Sequence, residues 1–404
     1  MTSELLQNSN QFSTHLVFAD REMTPNLAPI LDKRLTVKKV IILYTLNLAD
    51  NASRLKKIYH SHDIESVLTE IEPEFEINQI VESFTHILKE MNLETVAINL
   101  SCANKMNTLG AFKAFENTPV GLYYLLPNDQ LKWIQPPGLE EFSIAENILL
   151  EEFLHAHGID YSHPVTLSPS QANFANGLVN AIEKIILQQN ALTTYQHFST
   201  RHARGKSIKI IKHENKCYLN DIHNRSHLKA DLLLGLFRKL HNQNILNLKE
   251  NAQEASPQIE KDPWRRTFFE GGWLEYYAYR AILEIKTEEA KIKDVAFGVK
   301  LERQNAFDEA DVLFIANNQL FLVECKTGAN ANINLHLQRL DSLKKRLGGV
   351  SSHALLITTE IIGDNVHKAN LLNIGVIDGS QLSNLKHYLK EWISKEISTT
   401  LNTD

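Results

Sequence analysis

Two apolar runs separated by a pair of asparagines decide the fold of the C-terminal part of this sequence: 311-DVLFIANNQLFLVECK-326. Asparagine tolerates a positive φ, so Asn317-Asn318 predicts the tight turn of a β-hairpin. A turn centred between these two residues pairs Asp311 directly with Glu324, within ~5.5 Å at the Cα atoms. Lys326 follows Glu324 by two residues and therefore points to the same face of the sheet. The stretch thus predicts two facing carboxylates with a lysine beside them.

Two facing carboxylates at the ends of apolar strands repel each other and destabilise the fold unless a cation lies between them. A hard divalent cation with oxygen ligands, Mg²⁺ or Mn²⁺, suits this pair better than zinc, which prefers histidine or cysteine. Glu275, on a predicted helix that begins after Gly271-Gly272, can supply a third carboxylate. Such a metal activates water for phosphodiester hydrolysis, and Lys326 can stabilise the developing negative charge. The alternative is a surface hairpin with a solvated Glu324, but the run around Glu324 is apolar enough to be a central strand.

The N-terminal part of the chain alternates short apolar runs with helical patterns, which indicates βαβ units and a mostly parallel, doubly wound α/β sheet. The runs are HLVFA, VKKVIILYT, IESVLTEI, ETVAINL and VGLYYLL. In such a sheet, ligands bind beside the carboxyl ends of the strands, where the strand order reverses. The sequence has neither a GxGxxG nor a Walker lysine motif, so binding of a dinucleotide or a nucleoside triphosphate has weak support.

Three loops at the ends of predicted strands are candidates for binding a ligand. They follow the first, second and fourth strands and span residues 20–26, 45–47 and 101–105. The third loop runs directly into a predicted helix, whose N-terminal amides form an anion site together with Lys105. The candidate binding residues in these loops are Asp20, Thr45, Ser101, Asn104 and Lys105. For Asp20 or Thr45 alone, a polar cap on a structural loop is the favoured interpretation.

The middle of the chain predicts a helical connector. Helical spacing covers 143–200, and the following SIKIIKHENKCYL predicts a short hairpin that turns near Glu214-Asn215. A helix pair followed by a basic hairpin can form a winged-helix element, and a helical linker with a solvated hairpin is an equal alternative. Residues 201–229, here called the basic strip, hold eight Lys or Arg against two acidic residues. Its candidate nucleic-acid contacts are Arg201, Arg204 and Lys206.

The length of 404 residues requires more than one hydrophobic core. Pro136-Pro137-Gly138 marks a boundary, and the polar stretch NAQEASPQIEKDP at 251–263 predicts a linker. The sequence therefore predicts three parts. They are a ligand-sensing α/β domain at 1–140, the connector at 141–260 and a second α/β domain at 261–404.

Composition narrows the class of protein further. The net charge of −6 gives no global sign of a nucleic-acid partner. Cys102, Cys217 and Cys325 lie far apart, so their spacing shows neither a metal-binding pair nor a disulfide framework, and it suits a reducing compartment. The N-terminus lacks a signal peptide, and no run reaches the ~18 apolar residues of a membrane span. We expect a cytoplasmic protein.

The carboxylate pattern resembles the PD-(D/E)xK nuclease core, with a helical Glu275, a hairpin Asp311 and the strand motif Glu324-x-Lys326. Taken whole, the chain is similar to the CARF-domain nucleases of type III CRISPR systems, the Can2/Card1-like family. The segments that carry the resemblance are DREMTPNL, NLSCANKMNTLGAF, GGWLEYYAY, EADVLFI, LFLVECKTG and DGSQL. The resemblance implies a Rossmann-like CARF domain, a C-terminal domain of the restriction-endonuclease type and a homodimer.

The resemblance also implies an activity. The paired N-terminal domains would bind a cyclic oligoadenylate, most often the tetra-adenylate, and the activated protein would cut single-stranded RNA or DNA, or nick DNA, with Mn²⁺ or Mg²⁺. It assigns as metal ligands Glu275, Asp311, Glu324 and the Cys325 carbonyl, with Lys326 as the catalytic lysine. On the binding side it points to Pro25, Asn26 and Lys105. Where the family usually has Gly-Gly-Thr-Lys, this chain has Cys102-Ala103-Asn104-Lys105, which removes easy positive-φ geometry and leaves the ring size of the activator open.

Two other functions stay open on the sequence. A winged-helix DNA-binding regulator would use the basic strip, and its binding would depend steeply on salt. A sequence-specific restriction endonuclease would cut duplex DNA without a small activator. The intact carboxylate set argues against the regulator, and the N-terminal domain would have no purpose in the restriction endonuclease.

Overall fold

The computed structural model describes most of the chain. It covers residues 11–72, 76–161, 165–186, 189–203, 208–213, 216–220, 229–258, 262–289, 291–303, 306–328, 332–348, 352–363 and 365–399. These residues form three β-sheets and the helices that pack on them. None of the described helices combines the length and the apolar character that crossing a membrane requires.

The first sheet is the predicted doubly wound sheet. Its strands are β1 (Thr14–Phe18), β2 (Lys39–Tyr44), β3 (Glu65–Glu70), β4 (Val96–Asn99), β5 (Gly121–Leu125), β6 (Gln130–Gln135) and β7 (Phe142–Ser143). The order is β3-β2-β1-β4-β5-β6-β7, with β1 to β5 parallel and the last two strands antiparallel. Its helices are α1 (Thr24–Leu31), α2 (Ala49–Ser61), α3 (Ile77–Leu88) and α4 (Lys105–Phe115). All five strands predicted from the apolar runs are confirmed, and the order reverses between β1 and β4.

The connector contributes to both neighbouring sheets. β7 extends the first sheet to Ser143, past the predicted boundary at 140. The helix α5 (Leu150–Ala156) and the short strand β8 (Asp160–Tyr161) follow, and β8 pairs with a strand of the third sheet. α5 contacts both α2 and the third sheet.

The second sheet lies in the middle of the chain. Helices α6 (Pro169–Ile186) and α7 (Gln189–Ala203) precede the predicted hairpin, β9 (Ile210–His213) and β10 (Lys216–Leu219), which is confirmed. α8 (Ala230–Asn242) and a second hairpin, β11 (Asn247–Glu250) and β12 (Glu254–Gln258), complete the antiparallel order β10-β9-β12-β11. The first hairpin is therefore half of a four-stranded sheet, and only Ile210 and Leu219 of its strand residues are buried.

The prediction of a linker at 251–263 is wrong. β12 lies inside that stretch and pairs with β9 on one side and β11 on the other. Its alternate residues Ala255 and Pro257 are buried, whereas Glu254 and Ser256 are only partly covered. A strand with one solvated face shows a polar residue at every second position, and over five residues this pattern is easily read as a linker.

The third sheet carries the predicted hairpin. Its strands are β13 (Ile292–Arg303), β14 (Ala306–Ala316), β15 (Gln319–Lys326), β16 (Ser352–Thr358) and β17 (Ile374–Ile377), in the order β17-β16-β15-β14-β13-β8. β13, β14 and β15 are antiparallel, whereas β15, β16 and β17 are parallel. The helices are α9 (Pro263–Thr267), α10 (Trp273–Glu288), α11 (Ile333–Leu347), α12 (Asn365–Leu371) and α13 (Leu385–Thr399), and a π-helical turn, Phe268–Gly272, joins α9 to α10.

The hairpin β14–β15 is buried on both faces, which explains its nearly continuous apolar sequence. On one face, Phe314 and Phe321 stack at 4.8 Å between ring centroids and pack in the core that contains Trp392. On the other face, Leu313 and Leu322 belong to a core that also contains side chains of the first sheet. One hydrophobic core therefore joins the N-terminal sheet to the hairpin.

The turn of this hairpin docks on the first sheet. Asn317 and Asn318 have φ values of 49° and 54°, as the predicted tight turn requires. Their side-chain amides donate to Oδ2 of Asp129, in the β5–β6 turn, at 3.1 and 3.2 Å. Asp129 is 8% exposed, and burial raises its pKa to about 7, with Asn318 opposing the shift and Glu146 adding to it.

This pKa predicts a pH-dependent contribution to stability. A carboxyl whose pKa is raised in the folded state binds its proton more tightly there than in the unfolded chain. The wild-type protein should therefore lose stability as the pH rises from about 4 through about 7. Asp129→Asn cannot ionise, so its free energy of unfolding should exceed the wild-type value at pH 8, by up to an order of 4 kcal/mol, and the difference should vanish near pH 4. Urea unfolding at several pH values measures this; a constant difference would contradict it.

Candidate active site and ligand pocket

The predicted register of the hairpin is confirmed. Val312 pairs with Val323 and Ala316 with Gln319, so the next pair in the same register sets Asp311 opposite Glu324. Asp311 Oδ2 accepts a hydrogen bond of 2.6 Å from the backbone N–H of Cys325. Asp311 is 9% exposed and Glu324 is 3% exposed. The two facing carboxylates are therefore buried, Asp311 in the middle of β14 and Glu324 near the end of β15.

Lys326 lies between the two carboxylates. Its Nζ is 2.8 Å from Glu324 Oε1 and 3.8 Å from Asp311 Oδ2. Burial alone would lower the pKa of Lys326, but the charges of Asp311 and Glu324 outweigh it and raise the pKa above its ordinary value. The lysine therefore stays protonated and supplies one positive charge to the cluster.

One lysine does not balance the acidic groups around it. Burial, and then repulsion by Glu324 and Glu275, raise the pKa of Asp311 well above its usual range. Glu275, in the first turn of α10, has a pKa of about 7 because of its burial; Lys326 opposes that shift, and Glu309 and Glu324 add to it. The two pKa shifts, of Asp311 and of Glu275, have Glu324 and Lys326 as common causes. One electrostatic cluster, in which acidic groups outnumber the lysine, therefore contains Glu275, Asp311 and Glu324.

The donor chemistry of the cluster fits a hard divalent cation. Burial and the neighbouring carboxylates hold the pKa of the Cys325 thiol well above its usual value, so the thiol stays protonated and the carboxylates are the charged donors of the cluster. Oxygen-only donors favour Mg²⁺ or Mn²⁺ over zinc. Across the described part of the chain, no three or more His, Cys, Asp or Glu side chains are gathered as closely as a metal centre needs. The assignment of Glu275, Asp311, Glu324 and Cys325 as ligands thus stays a prediction.

Two residues beside the cluster were not predicted from the sequence as site residues. Arg339, on α11, places Nη1 3.8 Å from Glu324 Oε1. The pKa of His336 is lowered by burial and then by the charge of Lys326, so this ring lies within electrostatic range of the cluster. The two residues are three positions apart on the helix that follows the Glu-x-Lys strand, and this spacing is the pattern that could have identified them.

A cavity of about 180 Å³ lies where the strand order of the first sheet reverses. All three predicted loops reach it, and their predicted residues in its wall are Asp20, Thr45, Ser101 and Asn104. Asn104 Oδ1 also accepts the backbone N–H of Asn107 at 2.8 Å and so caps the N-terminus of α4. The carboxyl ends of β1, β2 and β4 thus form one pocket, as expected for a doubly wound sheet.

Three predicted binding residues do not line this cavity. Asn26 is fully buried and donates from Nδ2 to the carbonyl of Phe18 at 2.6 Å. The carbonyl of Pro25 accepts from Asn99 at 2.8 Å, and Lys105 is exposed at the start of α4. Their assignment to ligand binding stays a prediction. Asn26 and Pro25 hold the backbone beside β1 in place.

The loop at Cys102-Ala103, which precedes α4, is not strained. Cys102 and Ala103 are absent from the described residues that have positive φ. Cys102 is buried, and its Sγ donates to the carbonyl of Glu22 at 3.3 Å. The loop conformation is therefore one that ordinary residues adopt.

The basic strip is partly neutralised. Lys209 Nζ lies 2.8 Å from Glu254 Oε1, and Lys212 pairs with Glu250, so strand partners outside the strip compensate two of its charges. Arg201 lies in α7, and nothing is described of its side chain. Arg204 and Lys206 lie outside the described residues. Contact of these three residues with nucleic acid stays a prediction.

Comparisons with known proteins support the assignment of the C-terminal part. Residues 262–396 match the sequence model of the Card1-like endonuclease domain. The match contains the hairpin and α10, and with them Glu275, Asp311, Glu324 and Lys326. No curated protein sequence matches the chain significantly.

Three solved structures share the fold. Protein VC1899 from Vibrio cholerae superposes with a TM-score of 0.79 at 21% identity, over 95% of this chain and 98% of that chain. Can2 from Sulfobacillus thermosulfidooxidans, solved with cyclic tetra-adenylate, gives 0.73 at 18% identity, over 96% and 99%. A type III CRISPR defence DNA nuclease activated by cyclic oligoadenylate gives 0.53 at 15% identity, over 86% and 45%. The predicted fold class is thereby confirmed, and the resemblance of residues 262–396 to the Card1-like endonuclease domain is confirmed with it.

Proposed function

We propose that the protein is a metal-dependent nuclease of type III CRISPR defence that a cyclic oligoadenylate activates through the pocket of the first sheet. The observation that carries the nuclease assignment is the buried cluster of Asp311, Glu324 and Lys326 inside the segment that matches the Card1-like endonuclease domain. The match of nearly the whole chain to Can2 solved with cyclic tetra-adenylate supports the activator.

The residues of the cluster have different roles in the proposed phosphodiester hydrolysis. Asp311, Glu324 and Glu275 would hold a divalent cation, which supplies water activation and neutralises charge on the phosphate. Lys326, held by Glu324 at 2.8 Å and protonated, stabilises the negative charge that develops at the phosphorus. The hydrogen bond from the Cys325 N–H fixes the Asp311 carboxylate, so the charges are preorganised before substrate binds.

The N-terminal pocket supports an activator that carries phosphates. Asn104, which caps the N-terminus of α4, lines the pocket, and helix N-termini favour anions. A cyclic tetra-adenylate is a symmetric ring that needs a two-fold site, which one sensor domain cannot supply. We therefore propose a homodimer that binds one ring across its axis.

A panel of cyclic oligoadenylates tests both the proposed metal-dependent cleavage and its proposed activation by a ring. Wild-type protein is incubated with rings of different size, single-stranded RNA, single-stranded DNA or duplex DNA, and Mn²⁺ or Mg²⁺; mass spectrometry identifies any ring that the protein retains. We expect cleavage only when one ring and a divalent cation are both present, and chelation of the cation should stop it. Cutting of duplex DNA at a fixed sequence without any ring would favour a restriction endonuclease instead.

Arg339 should contribute to the catalytic efficiency, kcat/KM, of nucleic-acid cleavage. Its side chain is 46% exposed and lies beside Glu324, so it can reach a phosphate that enters the cluster. Arg339→Ala should lower kcat/KM about 10-fold, the value of one charge-assisted hydrogen bond at a partly exposed site. Lys345→Ala, on the same helix but 68% exposed in a pair with Asp341, is the control and should change little. Equal losses in both variants would count against a specific contribution of Arg339.

A further inference from the structure

Asn318, in the turn of the catalytic hairpin, uses every hydrogen-bonding position of its side chain. Its Oδ1 accepts the backbone N–H of Asn147 at 3.2 Å and that of Ile148 at 3.4 Å. Its Nδ2 donates to Asp129 Oδ2 and to the carbonyl of Ala145, both at 3.2 Å. A side-chain amide has two donor hydrogens and two acceptor lone pairs, so all four are used. The side chain is 0% exposed, which makes each of these bonds costly to lose.

The partner of this turn is connected to the pocket of the first sheet. Ser101 lines the pocket, and its Oγ accepts the backbone N–H of Leu125, the last residue of β5, at 2.8 Å. The next carbonyl, that of Leu126, accepts the N–H of Asp129 at 3.0 Å. The Asp129 carboxylate then receives the amides of the hairpin turn. Three hydrogen bonds and the short backbone segment 125–129 between them therefore connect the pocket wall to Asn318.

The hairpin connects that turn to the catalytic carboxylates. β14 and β15 are paired and buried on both faces, so they move as one unit. Asp311 and Glu324 lie roughly 20 Å from the turn, at ~3.3 Å per residue along each strand. Rotation by a few degrees about the docked turn would displace them by about 1 Å, and a displacement of that size can cost about 100-fold in rate.

We infer that the contact between Asp129 and Asn318 transmits the occupancy of the ligand pocket to the catalytic hairpin. Both are positioning residues, because the turn lies roughly 20 Å along the hairpin from Asp311 and Glu324. The inference rests on the proposed function, since it requires a ligand in the pocket and a reaction at the hairpin. A ligand shifts the equilibrium between two arrangements of a protein only if it binds them with unequal affinity. The Asp129–Asn318 hydrogen bond joins the first sheet directly to the hairpin, so a change in one can alter the other.

The test compares cleavage with and without cyclic tetra-adenylate in four full-length variants. Asn318→Gly and Asp129→Gly remove the contact but keep the positive φ of each site. Asp129→Asn keeps an oxygen that can accept the turn amides. Asn373→Gly is the matched control, because Asn373 also has a positive φ, of 50°, and lies in the C-terminal part away from the contact. Thermal unfolding shows that each variant is folded.

We expect the stimulation ratio, the rate with ring divided by the rate without, to fall at least 10-fold in Asn318→Gly and Asp129→Gly. Asp129→Asn and Asn373→Gly should stay within 2-fold of wild type. Deuterium uptake by 311–326 should change on addition of the ring in wild type and not in Asn318→Gly. Unchanged stimulation in both glycine variants, or an equal loss of basal and stimulated rates, overturns the inference and leaves the proposed function standing. If cyclic tetra-adenylate does not stimulate the wild-type protein, the variants are compared with the ring of the panel that does; a wild-type protein that no ring stimulates overturns both the inference and the proposed function.

Discussion

Asp311→Asn should abolish nucleic-acid cleavage while leaving the fold intact. Burial already favours the neutral form of this side chain, and the asparagine keeps an oxygen that can accept the Cys325 N–H at the same place. The variant loses a charge that a divalent cation requires, so the rate should fall on the order of 100-fold or more. Mn²⁺ should raise the unfolding temperature of wild type, because it binds the native state, and should not raise that of the variant.

Two further variants separate the roles within the cluster. Asp308→Asn, on the same strand, breaks an ion pair of 2.6 Å with Arg346 and should leave both cleavage and the Mn²⁺ effect nearly unchanged. Lys326→Met should also lose cleavage, but Mn²⁺ should still stabilise it, because the carboxylates remain. If Asp311→Asn keeps cutting at the wild-type rate, the cluster is not the active site. If Mn²⁺ stabilises Asp311→Asn as much as wild type, the cation binds elsewhere.

Asn104→Asp should weaken the binding of cyclic tetra-adenylate at least 10-fold, about 1.4 kcal/mol. Aspartate caps a helix as well as asparagine does, so the bond from the Asn107 N–H and the start of α4 should survive. The change adds a negative charge to the wall of the pocket, where it faces the phosphates of the ring. Isothermal titration at low and high salt measures the loss, which should shrink as salt screens the repulsion.

Asn92→Asp is the matched control for this prediction. Asn92 caps a short helix in the same sheet domain by accepting the Glu94 N–H at 3.2 Å, and it does not line the pocket. Its substitution tests the same cap chemistry without changing the pocket charge. Equal affinities for Asn104→Asp and Asn92→Asp would place the ring outside the pocket between β1 and β4.

The hairpin could be predicted in detail because its information is local. The side-chain period of a strand is two, and the Asn317-Asn318 turn sets the register, so Asp311 had to face Glu324. The same holds for the pocket: parallel strands end at one edge, and the loops that follow them bring Asp20, Thr45, Ser101 and Asn104 together. In both cases a short pattern and one rule of geometry were sufficient.

The strand β12 and the orientation of individual loop side chains could not be predicted from a local sequence pattern. The polar surface of β12 resembled a linker, because only two of its residues face the core. Asn26 and Lys105 follow predicted strands as the binding residues do, but packing turns the first into the interior and leaves the second exposed. Which side of a loop faces the cavity depends on neighbours that are distant in sequence.

The sequence by itself determined the parallel strands of the first sheet, the register of the catalytic hairpin and the facing positions of Asp311 and Glu324. Only the tertiary structure decided that Arg339 and His336 join them, and that the turn of the hairpin docks on Asp129. The physical reason is that turns and alternating burial follow from neighbouring residues along the chain. Contacts between a strand and a separate helix or sheet depend on how whole faces pack, whether the residues are 15 positions apart, as Glu324 and Arg339 are, or 189, as Asp129 and Asn318 are; packing leaves no period in the sequence.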